Sequence, residues 1–227
     1  IATPGRLMDH MQRRTIDLSR VEILVLDEAD RMLDMGFIRD VRAIVAALPR
    51  TRQTLLFSAT MPPDVRALAE RILTQPRTIQ AGAPSRPAAT VSHQVYAIGK
   101  DKKMELLVQL LQREPMASVL VFSRTKHGAD RIARRLGSHA VSAAAIHSGR
   151  SQNQREQALC GFRRAHYRVL VATDIAARGI DVHGISHVIN YDMPRCAEDY
   201  IHRVGRTGRA EARGAAITFV EPGENAE

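Results

Sequence analysis

Two blocks of alternating apolar runs and helix-period stretches organise the chain. In the first block VEILVL at 21–26 is a short apolar run of the kind that forms a buried strand. Behind it Phe37, Val41, Ile44 and Leu48 fall on one helical face, and Pro49 closes that stretch. QTLLFS at 53–58 predicts a second buried strand, and Pro62-Pro63-Asp64 predicts a helix start with Val65, Leu68, Ala69 and Ile72 turned inward. The second block repeats the rhythm. KMELLVQLLQ at 103–112 has helical spacing, and apolar runs follow at 118–123, 141–147, 167–173, 187–191 and 215–220. Amphipathic stretches lie between the first three of these runs, marked by Ile132 with Leu136 and by Leu159 with Phe162. Continuous apolar strands alternating with such helices predict an α/β fold with parallel sheets covered on both faces. The Pro-, Ala-, Gly- and Ser-rich stretch at 75–92 lacks periodicity and predicts a linker. The expected division is residues 1–80, a linker at 81–91, and residues 92–227.

Composition narrows the class. At 227 residues the chain can bury one or two cores, and it has no apolar run near membrane-spanning length, which predicts a globular protein with no membrane partner. No leader opens it, and Cys160 and Cys196 sit in no metal or CxxC spacing, which points to a reducing cytoplasm. The net charge of +9 is uneven: residues 1–80 contribute +2 and residues 81–227 contribute +7. A polyanion such as nucleic acid is one reading. Compositional bias is the other, since 29 of the 33 basic residues are Arg.

Against this basic background, Asp27, Glu28 and Asp30 crowd the end of the 21–26 run. Ligands of open α/β sheets bind at the carboxyl ends of strands. A carboxylate there suits Mg²⁺ held against nucleotide phosphates, and the cation would relieve the repulsion within the cluster. An adjacent Glu is placed to orient or deprotonate a water. The plain alternative is that these acids cap the helix starting near Arg31.

Asp27-Glu28-Ala29-Asp30 reads D-E-A-D, and in order along the chain stand TPGR at 3–6, SAT at 58–60, LVFSRTK at 120–126, QNQR at 152–155, ATDIAARGID at 172–181 and HRVGRTGR at 202–209. On these motifs the chain resembles the DEAD-box family of ATP-dependent RNA helicases. The flanking RMLDMGF, QTLLFSATM and TKHGAD look most like its bacterial RhlE-like branch.

The resemblance implies two RecA-like domains, of which the first is expected to be present only as its C-terminal half. It implies ATP and Mg²⁺ as cofactors and RNA as partner, with ribosomal or RNA-decay proteins as candidate further partners; no oligomeric state follows from it. Asp27 would hold Mg²⁺ through water and Glu28 would serve the attacking water. Arg206 and Arg209 would be arginine fingers on the γ-phosphate, and Asp181 would contact the ATP ribose. Arg203, Asp30, Ser58 and Thr60 complete the expected nucleotide set, with Ser58 and Thr60 able to bond the acids of 27–30. On the RNA side stand Thr3, Gly5 and Arg6 in a Pro-Gly turn, with Arg124, Thr125, Arg155, Thr173 and Gly179.

Read without the family, Ser58 and Thr60 are turn formers, Thr173 or Asp174 a helix cap, and 202–209 a basic loop whose glycines admit close approach. His147 and His202 have no ligand partners at metal spacing and read as hydrogen-bonding or packing residues. Aromatic residues make up 4% and Trp is absent, so backbone recognition is favoured over base stacking.

No G-x-x-x-x-G-K-[ST] occurs, and no Lys precedes Lys100. The chain by itself is therefore expected to hydrolyse ATP poorly. That keeps a second reading open, a non-catalytic RNA-binding or interaction module. A third, a DNA-directed helicase of the same superfamily, is disfavoured by D-E-A-D together with H-R-x-G-R-x-G-R.

Overall fold

The computed structural model describes residues 1–80, 90–113, 115–177, 182, 184–208 and 213–224. The chain divides into two compact units, Ile1–Ser85 and Arg86–Glu227.

The first unit runs α1 (Pro4–Gln12), β1 (Ile23–Leu26), α2 (Ala29–Asp34), α3 (Ile38–Ala46), β2 (Gln53–Leu56) and α4 (Pro63–Ile72). The two strands pair in parallel, Ile23 opposite Gln53 through Leu26 opposite Leu56. Leu26, Val41 and Leu68 form a small core flanked by Leu24, Phe37, Leu56 and Ile72. The expectation of strands buried on both faces is corrected here. Period-two alternation sends Leu24 and Leu26 to this core, while Ile23 and Val25 face the other way and remain 57% and 52% exposed. The expected Pro-Gly turn at 3–6 is also corrected: Thr3 is an extended N-cap, Pro4 opens α1, and Gly5 and Arg6 are helical. Proline serves at that position because its missing N–H would have no intrahelical partner.

The second unit runs β3 (Val91–Ala97), α5 (Lys103–Arg113), β4 (Val119–Phe122), α6 (Lys126–Ser138), β5 (Ala143–Ile146), α7 (Gln152–Arg163), β6 (Val169–Ala172), α8 (Asp174–Ala177), β7 (His187–Asn190), α9 (Ala197–Val204) and β8 (Gly214–Val220). Among the described residues the strands form one parallel sheet in the order β3-β8-β7-β4-β6-β5. Strand alternation divides its core in two. Val119, Val121, Val169, Val171 and Ile189 pack with Leu107 and Leu111 of α5 and Ile132 and Leu136 of α6. Leu120, Phe122, Leu170, Ala172 and Val188 pack on the opposite face with Ala158 and Phe162 of α7 and with Ala176 and Ala177 of α8. Central strands β4 and β6 are buried at every position, because both faces are covered.

Strand β3 has no counterpart in the hydropathy pattern. It begins at Val91, inside the expected linker, and is an edge strand whose Ser92, His93, Gln94 and Val95 are exposed. Its seven-residue pairing with β8 is backbone work that needs little apolar content.

All six strands point the same way, so the loops after β4, β5 and β6 and the starts of α6, α7 and α8 gather at one edge of the sheet. This edge depends on the central strands. Leu170 is fully buried in β6, and Leu170→Ala is expected to lower the unfolding free energy by about 2–5 kcal/mol, read from urea denaturation followed by circular dichroism.

Candidate functional site

In the first unit the acidic cluster resolves into three different environments. Asp30 is buried at 6% exposure, where its Oδ2 accepts from the Thr60 amide at 2.9 Å and the Thr60 hydroxyl at 2.8 Å. Its own amide donates to Ser58 Oγ at 3.1 Å, and Ser58 in turn donates to the Thr60 carbonyl at 2.7 Å. The D-E-A-D turn and the S-A-T turn are thus tied together across the ends of β1 and β2. Glu28 is exposed and pairs with Arg31 one turn later in α2. Its backbone is left-handed, φ 52° and ψ 50°, a conformation uncommon outside glycine and one that concentrates at functional sites. Asp27 is exposed as well. One carboxylate oxygen accepts the Glu28 amide at 2.9 Å, and among the described residues no cation pairs with it.

The cluster therefore presents one committed acid and two outward acids. Mg²⁺ is bound through one or two carboxylates, several waters and substrate phosphates. A single open carboxylate at a strand end fits that mode. No group of three His, Cys, Asp or Glu residues that would hold a metal without substrate occurs among the described residues.

Thr3, Gly5 and Arg6 lie together at the exposed start of α1, where Arg6 Nη1 donates to Asp9 Oδ2 at 2.8 Å.

In the second unit Arg124 and Thr125 follow β4, Arg155 lies in the second turn of α7 after β5, and Thr173 follows β6. Parallel strands thus bring these four to one edge. Thr125 caps α6, its Oγ1 accepting from the Gly128 amide at 2.9 Å. A Cβ at position 128 would come within 2.5 Å of Ser123 Oγ and 2.9 Å of Thr125 Oγ1, so only glycine fits beneath that cap. Arg124 pairs with Glu224 at 3.0 Å and is 47% exposed. Burial would raise the Glu224 carboxyl, but the Glu221 amide, Arg124 and the nearby Lys103 outweigh it and hold the group below its ordinary value. Thr173 accepts from the Ala177 amide at 2.9 Å and starts α8.

The arginines of 202–209 do not share one loop, as the sequence suggested. Arg203 lies in the last turn of α9 and is 3% exposed. Its Nε and Nη2 donate to both carboxylate oxygens of Asp174 at 2.6 and 2.8 Å. Its Nη1 donates to Asn190 Oδ1 at 3.1 Å and to the Asp192 carbonyl at 2.8 Å. The guanidinium also stacks over Phe122, 4.9 Å from the ring centroid. Four of its five donors are spent inside the domain, so Arg203 is an internal organiser and not a loop cation offered to a ligand. Arg206, three residues on, stays half-buried beside a small cleft lined also by Asp174, Asp199, His202 and Arg203. Asp181, Gly179 and Arg209 lie outside the described residues.

Pattern reasoning missed Asp192. Its Oδ2 accepts from the Arg124 amide at 2.7 Å and the Ser123 hydroxyl at 3.1 Å, while its carbonyl accepts from Arg203. The available signal was Asn190-Tyr191-Asp192, polar groups at the carboxyl end of a buried run.

His147 is buried at 3% exposure. Its Nδ1 accepts from the Gly149 amide at 3.1 Å, and its Nε2 lies 3.0 Å from Asp130, which also takes Arg150 at 2.6 Å. This is a packing and hydrogen-bonding role.

The matches to known proteins follow this geometry. Residues 1–68 match the family model described as DEAD/DEAH box helicase, and residues 102–211 match the Helicase conserved C-terminal domain. The DEAD-box ATP-dependent RNA helicase CshA of Bacillus cereus is 43% identical over all of this chain, which spans 43% of that protein. The ATP-dependent RNA helicase DeaD of Mycobacterium tuberculosis is 47% identical over 99% of this chain, which spans 39% of it. The chain thus spans well under half the length of these curated relatives. Among solved structures, S. cerevisiae Dbp5 bound to RNA and ADP BeF3 superposes with TM-score 0.88 at 32% identity, covering 98% of this chain and 59% of that one. E. coli DEAD-box protein SrmB bound to RraA is 37% identical, with TM-score 0.54, over 57% of this chain and 76% of its own.

Removing one partner of a buried, bidentate ion pair leaves the other charge stranded. Arg203→Ala is expected to lower the unfolding free energy by about 3–5 kcal/mol in a urea titration, and Arg203→Lys to recover little of it because an ammonium cannot match the planar fork.

Proposed function

The chain belongs to the DEAD/DEAH box helicase family, and from that premise we propose that it supplies the hydrolytic carboxylates and much of the RNA grip of an ATP-dependent RNA helicase. ATP binding and hydrolysis then drive domain closure on RNA and local unwinding of short duplexes. The observation that carries this reading is the division of labour in D-E-A-D. Asp30 is locked inward to Ser58 and Thr60, while Asp27 and Glu28 stay exposed at the strand end.

Asp27 would hold Mg²⁺, and the ion would supply charge neutralisation at the phosphates. Glu28 orients and deprotonates the attacking water, from a left-handed backbone at the N-cap of α2. Asp30, Ser58 and Thr60 couple the nucleotide state to the end of β2. Arg206 and Arg209 stabilise charge on the transferring γ-phosphate, Asp181 takes the ribose, and Arg203 serves the nucleotide site by holding the base of α9 from which Arg206 extends. Thr3, Gly5, Arg6, Arg124, Thr125, Arg155, Thr173 and Gly179 take sugar and phosphate, which positions RNA without reading its sequence. Ribosomal or RNA-decay proteins are the candidate protein partners. Both cysteines are free and exposed, in keeping with a reducing cytoplasm, and no described helix is long and apolar enough to cross a membrane.

A second reading, a non-catalytic RNA-binding module, is favoured by the lack of a G-x-x-x-x-G-K-[ST] loop in these 227 residues. It predicts salt-dependent RNA binding that ignores nucleotide.

The deciding experiment joins the chain to the phosphate-loop segment of one of the relatives above and measures RNA-stimulated ATP hydrolysis. Glu28→Gln is expected to lower turnover by about 10²–10⁴ with ATP binding retained. Unchanged turnover would remove Glu28 from the chemistry, and no stimulation by RNA at all would favour the second reading.

A further inference from the structure

Helix α6 buries Gly128, Ala129, Ile132 and Leu136 against the sheet. Its opposite face carries His127, Arg131, Arg134 and Ser138 in register, with Arg135 beside them, and all five are exposed. Arg131 and Arg135 are four residues apart and Arg131 and Arg134 three apart, so like charges stand as direct neighbours, an arrangement that destabilises a helix. Among the described residues none of Arg131, Arg134 and Arg135 makes an ion pair. The one acid of the helix, Asp130, sits on its flank and is taken by Arg150 at 2.6 Å and by His147. Arg131 and Arg135 act electrostatically on Tyr191, whose neighbouring acids Glu221 and Asp192 are themselves engaged, by Lys103 and by the Arg124 amide.

We propose that the outer face of α6 is an auxiliary RNA surface, taking the phosphodiester backbone of a segment that runs beyond the strand held at the sheet edge. The proposal rests on the RNA-binding reading above and extends it to residues outside every motif. Three features choose RNA over an acidic protein. The stripe lies on the helix that Thr125 caps, directly after Arg124 and Thr125 in the chain, so it adjoins the candidate RNA edge. Beyond Lys126 at its start, its fixed cations are guanidinium, which fits phosphate oxygens as a fork. No large apolar residue is exposed on α6, whereas a protein interface has an apolar core. Thirteen helical residues span roughly 20 Å, enough for several phosphates.

The test measures binding of the 227-residue chain to single-stranded RNA by fluorescence anisotropy across a salt series. It compares an oligonucleotide of about 8 nucleotides with one of about 20. The variants are Arg131→Gln/Arg134→Gln/Arg135→Gln, the corresponding triple Glu variant, and Arg155→Ala as the motif control. Circular dichroism melts verify that each variant is folded, and the Gln set keeps the test usable if the Glu set is not. The expected result is that the Gln set weakens the long RNA about tenfold or more and lowers its salt slope by about 2, the loss of three single-strand phosphate contacts. The short RNA is expected to be unaffected. Equal loss on both lengths, or no loss on the long RNA while Arg155→Ala weakens both, overturns the auxiliary surface and leaves RNA binding in place. The latter outcome would remove RNA as the occupant of the stripe. Failure of the unaltered chain to bind either RNA overturns both this inference and the reading on which it rests.

Discussion

A single buried guanidinium holds together the edge of the second sheet on which the candidate site is built. Arg203 grips Asp174 with two parallel bonds and reaches Asn190 and the Asp192 carbonyl with a third nitrogen. Taking an arginine out of water is expensive, and the loss is offset only when nearly every donor finds an acceptor. Here four do. The consequence is geometric: the start of α8 after β6, the end of β7 and the last turn of α9 are fastened to one cation. Asp192 carries the connection on, since its carboxylate receives the Arg124 amide and the Ser123 hydroxyl at the end of β4. The candidate phosphate-side Arg206 and the candidate RNA-side Arg124 are thus linked by one bonded chain inside one domain.

The first unit solves a different electrostatic problem. Three carboxylates within four residues would repel one another in a dry site. The structure separates them by environment, with Asp30 buried and bonded to Thr60, Glu28 paired with Arg31, and Asp27 outward. What remains for a metal is one carboxylate, which is what a magnesium ion carrying waters and phosphates takes up. The S-A-T residues tie Asp30 to the end of β2, through Ser58 Oγ and the Thr60 amide and hydroxyl.

Much of this was legible in the residues, and the exceptions have physical causes. The central strands VLVF and VLVA read correctly because burial on both faces demands unbroken apolar runs. VEILVL looked the same, yet its strand has one exposed face, since a run of apolar letters carries no record of what covers it. Strand β3 was invisible because its central Ser92-His93-Gln94 run is polar and exposed, which suits an edge. Pro4-Gly5 reads as a turn because the two residues punctuate chains, although Pro also opens helices, as it does in α1. The motif arginines were legible as a set, but periodicity could not separate the one turned inward from the one left at the cleft. Asp192 escaped because its function depends on partners 68 residues earlier and 11 later.

The most direct test of Arg203 as the organising cation is a double-mutant cycle on the 227-residue chain, with Arg203→Met and Asp174→Leu made singly and together and unfolding followed in urea. The account predicts that each single change strands a charge, and that the double change restores a large part of the loss, giving a coupling of about 1–3 kcal/mol. Additive losses within about 0.5 kcal/mol would show that the pair acts independently, and the bonded chain from 206 to 124 would lose its foundation.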